Sequence, residues 1–290
     1  MRYCFLRFPG GKLKAVTLSY DDGVRADIRM ADVLNRHNMK CTFNINSGSL
    51  DGKDSNRLTA EEIQKHLIDP GHEIAIHGER HLAPGIVSTS MGIADALNCR
   101  TTLEKTFNRL IRGMAYPDTG ITKMHAGNDV ETIKSYLRDL GIVYARSLGS
   151  DNNTFMLPTD WLAWMPTAHH NNPRLMEWVD AFLAINEDNI RWSGKYPRLF
   201  YLWGHSYEFD NNNNWDLIEK FCDVIGGKED IWYATNIEIC EYVHAYESLI
   251  RSADGNRIYN PTLTDIWLCI DHVPYILRSG ETLLLNDEVK

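Results

Sequence analysis

Asp21 and Asp22 stand side by side in front of Gly23, and two histidines, His77 and His81, stand four residues apart further along the chain. Asp22, His77 and His81 together offer one carboxylate oxygen and two imidazole nitrogens. That is an incomplete shell for a divalent transition metal, with positions left over for water and substrate. Zinc suits such a set best, and cobalt, nickel, manganese and iron are accommodated as well. An H-x-x-x-H spacing alone belongs mostly to ordinary surface or core histidines. The aspartates shift that balance, because neighbouring carboxylates at a buried strand end are unfavourable unless their charge is compensated. A metal on Asp22 and a proton-transfer role for Asp21 account for both. If a helical turn follows the strand, the i, i+4 spacing turns both histidines the same way.

The elements that must position these residues alternate. Short apolar runs, read as strands, cover residues 15–20, 41–45, 73–76, 111–115, 142–145, 161–164, 199–203 and 231–234. Between them lie helical patterns at 25–37, 59–68, 93–109, 130–140, 173–186, 215–225 and 237–251. Thr59-Ala60-Glu61-Glu62 has the form of a capping box at one helix start. Strands alternating with helices imply parallel pairing through crossovers. The expected fold is α/β: a distorted (β/α) barrel of about seven parallel strands over residues 1–252. After Ala253-Asp254-Gly255-Asn256, a turn sequence, the helices stop, and residues 253–290 read as a small β-rich C-terminal extension.

In parallel barrels the reactive groups gather at the carboxyl ends of the strands. The residues that follow each expected strand are Asp21-Asp22-Gly23, His77, Tyr116-Pro117-Asp118, Arg146 and Gly204-His205. They should meet at one mouth.

Leu18-Ser19-Tyr20-Asp21-Asp22-Gly23 resembles the first motif of the polysaccharide deacetylase family, also called the NodB-homology domain or carbohydrate esterase family 4. His77-Gly78-Glu79-Arg80-His81 resembles its second motif, H-[S/T]-x-x-H, in the right order and separation. The likeness runs from about residue 15 to 235. It implies Asp21 as general base and Asp22, His77 and His81 as metal ligands. Met114 to Asp118 resembles the third motif, implying that the Asp118 amide binds the oxyanion. Leu202-Trp203-Gly204-His205 resembles the fifth, implying that His205 protonates the leaving group. The implied activity is removal of N- or O-linked acetyl groups from a sugar or polysaccharide.

The chain also departs from the family pattern. Gly78 stands where a hydroxyl residue is usual, and Ala115 where an arginine is usual. Arg112 is nearby in sequence, but Arg146, at another strand end, is the better candidate to orient Asp21. Asp160-Trp161 is the nearest match to the fourth motif, whose aspartate tunes the leaving-group histidine. His169-His170 falls where a further strand should end and is either a support of the site or a pair of loop histidines. Asn211 to Asn214 reads as a solvated loop before a helix. Trp161, Trp164 and Trp203 are the tryptophans placed where a sugar ring could stack.

The net charge of −9 over 290 residues argues against a nucleic-acid partner. No apolar run approaches the roughly 20 residues that span a bilayer, so no membrane partner is expected. The first ten residues do not read as a signal peptide, and the six scattered cysteines read as reduced and structural, so a cytoplasmic location is expected. Two other functions fit the sequence: an amidohydrolase acting on a small amide or cyclic ureide, and a non-catalytic glycan-binding protein. The intact aspartate and histidine set weighs against both the metal-free and the decayed versions.

Overall fold

Each strand of the main sheet is short, and most are buried on both faces, as a parallel sheet covered by helices requires. A computed structural model describes residues 3–125, 127–148, 154–187 and 195–285. Along the chain come β1 (Cys4–Arg7), β2 (Lys14–Asp21), α1 (Ala26–Arg36), β3 (Thr42–Ile45), α2 (Ala60–Ile63) and β4 (Glu73–Ile76). Next are α3 (Thr89–Phe107), β5 (Gly113–Ala115), α4 (Val130–Asp139), β6 (Tyr144–Arg146), β7 (Ala168–His169) and α5 (Leu175–Leu183). Then follow β8 (Arg198–Gly204), α6 (Tyr207–Asn211), α7 (Trp215–Ile225), β9 (Ile231–Tyr233) and α8 (Asn236–Glu247). The chain ends in β10 (Ile250–Arg251), β11 (Arg257–Tyr259), β12 (Ile266–Ile270), β13 (Val273–Leu277) and β14 (Thr282–Leu284).

Seven strands lie in the order β6-β5-β4-β3-β2-β8-β7 with parallel neighbours, and β9 also pairs β2. One edge of β2 is taken by β8 from Lys14 to Tyr20; the other is shared by β9 at Lys14–Val16 and β3 at Ser19–Asp21. The sheet curls into the expected distorted barrel. Its two edges are bridged by one stretch of chain. Trp164 exchanges backbone hydrogen bonds with Ala145 and Ser147 beside β6, and Thr167 donates to Tyr201 of β8.

Strand alternation divides the buried residues into two sets. Val16, Leu18, Tyr20, Phe43, Ile45, Ile74 and Ile76 pack against the helices. The alternate positions carry a polar column. Glu73 accepts from Thr42 and Tyr144, Thr17 and Tyr201 meet Asn236, and Asn44 donates to Ser19 and Asp21. Asp21 and Arg146 stand at its upper end.

Two short stretches differ from the sequence expectation. Within residues 161–164, Trp161–Ala163 form a 3₁₀ turn and only Trp164 is extended, bridging Arg146 of β6 in parallel; the strand that pairs β8 comes later, at β7. Asp160 accepts from the Leu162 amide and so caps a helical turn, while Trp161 is held edge-on against Trp164. The second difference is near residue 5, where β1 carries no local signal because its partner is remote. It pairs antiparallel with β12, which pairs β13; β10, β11 and β14 form a second three-stranded sheet. The C-terminal strands share an apolar cluster with Phe8, Ala15 and Leu199 through Ile266, Leu268 and Leu277. Among the described residues no helix is long and apolar enough to cross a membrane.

Candidate active site

The turn after β2 sets the first carboxylates. Asp22 has φ 86° and Gly23 φ 64°, both in the left-handed region, where an aspartate is tolerated and a glycine unstrained. The conformation is fastened from three sides: the Asp22 amide donates to the Asn44 carbonyl at 2.9 Å, Arg57 donates to the Asp22 carbonyl, and Leu58 donates to Gly23. Asp21 remains on the strand, 2% exposed. It accepts from Asn44 Nδ2 at 2.8 Å and from the Arg146 guanidinium. Arg146 in turn lies 4.2 Å above the Trp203 ring. Burial works to raise the pKa of Asp21, but Arg146, then His77, His205 and Asn44 outweigh it, so the carboxyl is held below its usual range.

No helical turn follows β4. Gly78 at φ 78° and His81 at φ 58° make a tight loop instead, and this brings the two imidazoles together with ring centroids 4.7 Å apart. Gly78 explains the family departure at this position. A Cβ there would sit 2.2 Å from Asp95 Oδ2. The Asp95 carboxylate occupies that space and accepts from the Arg80 amide at 2.8 Å and the Leu82 amide at 3.4 Å, so α3 supplies the loop's hydrogen bonds.

His77 Nδ1 lies 2.8 Å from the Ala115 carbonyl oxygen. That contact makes Nδ1 the donor and leaves the Nε2 lone pair free, the tautomer a metal ligand needs. Nε2 of His77 is 3.9 Å from Asp22 Oδ1, and Nε2 of His81 is 3.6 Å from the same oxygen. The three ligand atoms all lie within 4.8 Å of one another. Their chemistry and spacing fit a divalent transition metal.

Asp21, Asp22, His77, His81, Asp118 and His205 line one cavity of about 360 Å³, walled also by Tyr116, Leu148, Trp203 and Tyr207. Arg146 is buried behind Asp21 and does not reach the cavity wall. Asp118 has φ 49°, and among the described residues nothing accepts a hydrogen bond from its amide. A larger cavity of about 710 Å³ opens beside Ile142 and Val143, at the opposite end of β6, and is lined by none of Asp21, Asp22, His77, His81, Asp118, Arg146 and His205.

His205 follows β8. Its Nε2 is 3.8 Å from Asp21 Oδ2 and its Nδ1 is 2.9 Å from Glu208 Oε1. Burial alone would lower its pKa, but the hydrogen bond to Glu208 and the charges of Asp21 and Asp22 raise it. Glu208 thus takes the place considered for Asp160. Asp160 pairs with Lys134 and lines the larger cavity. The sequence held one signal for Glu208, its position three residues after His205 on a short helix. Asn44 was signalled only as an amide inside an apolar strand. Of the tryptophans considered for stacking, Trp164 is core and Trp161 packs on His244, while Trp203 reaches the cavity. Arg112 pairs at the surface with Glu241.

A family model described as polysaccharide deacetylase matches residues 9–142. That stretch is similar to the polysaccharide deacetylase family. Asp21, Asp22, His77, His81 and Asp118 fall inside the matched segment, and Arg146 and His205 beyond it. A chitin disaccharide deacetylase from Vibrio alginolyticus is 29% identical over 127 residues, 43% of this chain. The matched stretch spans only 28% of that relative's length. Among solved structures, a putative polysaccharide deacetylase from Mycobacterium smegmatis is similar with a TM-score of 0.56 and 17% identity, over 85% of this chain and 97% of that one. The Xyl-CE4 domain of a multidomain xylanase from the hindgut metagenome of Trinervitermes trinervoides gives 0.53 and 14%, over 80% and 92%. At these identities both speak to the deacetylase fold.

Proposed function

We propose that this chain is a metal-dependent hydrolase that removes N- or O-linked acetyl groups from a sugar or polysaccharide. The observation that carries the reading is the junction of two groups in one cavity: Asp22, His77 and His81 within 4.8 Å of one another, beside Asp21 with His205 3.8 Å away. A divalent metal held by Asp22, His77 and His81 supplies Lewis acidity for the acetyl carbonyl when bound. Asp21, fixed on one oxygen by Asn44 and on the other by Arg146, accepts the proton of the attacking water. The Asp118 amide donates to the carbonyl oxygen as it gains charge, a contribution of roughly 3–4 kcal/mol for such a donor. His205, which Glu208 orients through Nδ1, presents Nε2 to the cavity and protonates the departing amine or alcohol. Trp203 and Tyr207 line the cavity and give it an aromatic wall for a sugar.

The test is acetate release from a panel of N-acetylated sugars, including a chitin disaccharide, and O-acetylated glycans, together with elemental analysis of never-chelated protein. Activity that chelation abolishes and Asp21→Asn reduces about 10²–10⁴-fold is expected. Acetate release indifferent to both treatments would sink the reading. Small amides in the same panel separate an amidohydrolase, and sugar binding without turnover marks a binding protein.

A further inference from the structure

Beside the cavity, two consecutive histidines and a glutamate converge from successive loops at the carboxyl end of the barrel. His169 ends β7, His170 follows it, and Glu208 lies on α6. His170 Nε2 is 3.1 Å and His169 Nε2 3.6 Å from the same oxygen, Glu208 Oε2, and the three ligand atoms lie within 4.8 Å of one another.

From this geometry we infer a second divalent-metal site formed by His169, His170 and Glu208, distinct from Asp22, His77 and His81 and sharing no ligand with them. Tetrahedral zinc with ligand bonds of about 2.0–2.2 Å holds neighbouring ligand atoms roughly 3.3–3.6 Å apart, and the two histidine-to-glutamate separations, 3.1 Å and 3.6 Å, lie within a few tenths of an ångström of that range. An independent observation concerns His170. It is 1% exposed, yet neither ring nitrogen has hydrogen-bonding geometry with any group among the described residues; Nε2 is close to Glu208 but misaligned. A buried imidazole without a partner is unfavourable, and an ion between it and Glu208 supplies one. The ring is restrained by its neighbours: it stacks on Phe209 with centroids 4.2 Å apart and lies nearly parallel to Tyr20 at 5.7 Å.

The rest of the surroundings agree. His169 is 26% exposed, which gives an ion a path from solvent. Its Nδ1 accepts from the Asn171 amide at 3.1 Å, leaving Nε2 to face Glu208. The other Glu208 oxygen is engaged by His205 Nδ1, and Asn171 Nδ2 donates to Oε2, so the carboxylate is oriented from outside the site. Two imidazoles and one carboxylate select zinc, cobalt, nickel or copper over magnesium and calcium, which prefer all-oxygen shells.

The site is tested on the full-length chain, stripped with chelator and titrated with zinc by calorimetry, with bound metal counted after desalting. Wild type should bind two ions, His81→Ala one, His169→Ala one and the double variant none, while magnesium leaves the second site unfilled. His169→Gln, which keeps side-chain volume, guards against a folding artefact, with circular dichroism as the check. A single ion that survives His81→Ala and is lost in His169→Ala would uphold this site while removing the catalytic one. A wild type that binds one ion lost in His81→Ala overturns the inference, as does a folded His169→Gln variant that still binds two.

Discussion

His205 is held between two carboxylates, Glu208 at 2.9 Å on Nδ1 and Asp21 at 3.8 Å from Nε2. A histidine so placed is protonated more readily than an isolated one, which suits a proton donor. Its importance should then follow the leaving group. An amine departs poorly without a proton, whereas the phenolate of an activated aryl acetate scarcely needs one. His205→Ala should therefore slow hydrolysis of an N-acetyl sugar at least tenfold more than hydrolysis of a nitrophenyl acetate, with zinc content at the His81 site unchanged. Equal losses on both substrates would take His205 out of proton transfer. The residues legible in the sequence were those whose chemistry is written in short motifs: the paired aspartates, the two histidines and His205. Glu208, Asn44 and Asp95 were not, because each acts on its partner through tertiary contact. Arg146 lay between these cases, since a lone arginine at a strand end gained meaning only from the aspartate it had to reach.

The loop after β4 depends on its glycine. Gly78→Ser would restore the residue usual in the family, yet its Cβ would meet the Asp95 carboxylate at 2.2 Å and the backbone would be strained at φ 78°. We expect the single variant to weaken metal binding at Asp22, His77 and His81 about 10–100-fold. Adding Asp95→Ala should recover part of that loss by opening the space; calorimetric titration of both variants gives the comparison. A second buried carboxyl, Asp27 on α1, ties the loop after Asp22 to the loop after His205 by accepting from Ser206 Oγ at 2.6 Å and the Val24 amide at 2.9 Å. Burial pushes its pKa to about 8; the charges of Asp21 and Asp22 add to the rise, and the two hydrogen bonds oppose it. The folded state therefore binds this proton more tightly than the unfolded chain. The associated stabilisation is full below about pH 4 and is lost as pH rises to about 8. In chelator, where no ion adds charge, wild type should lose on the order of 1–3 kcal/mol more than Asp27→Asn between pH 5 and pH 8 by urea unfolding. Parallel curves for the two proteins would show that Asp27 does not titrate in that range. Helices and buried strands were legible because periodicity reports local burial. The 3₁₀ turn at Trp161 was not, since an apolar run of four residues fits either state until its capping aspartate is seen in place.

At the scale of the whole molecule, the extension and the barrel share a core. Tyr242 on α8 donates to the Arg7 carbonyl at 2.7 Å and accepts from the Trp267 amide at 3.0 Å, joining both ends of the chain to one helix. We propose that residues 253–290 are needed for the stability of residues 1–252. A chain ending at residue 252 should melt on the order of 10 °C lower, since Phe8, Tyr242 and their neighbours lose their cover. An unchanged melting temperature would make the extension an independent appendage. The sequence showed where the helices stop but not this dependence, because the pairing of β1 with β12 joins residues more than 250 apart: Cys4 faces Ile270 and Arg7 faces Trp267. That pairing has a consequence for synthesis. β1 leaves the ribosome roughly 260 residues ahead of its partner. At about 5–20 residues per second, Leu6 and Phe8 wait for tens of seconds without their final cover. The carboxyl mouth around Asp21 and His77 needs the chain only as far as β8, so it can assemble several seconds before β12 is made, while the first strand is still looking for a neighbour.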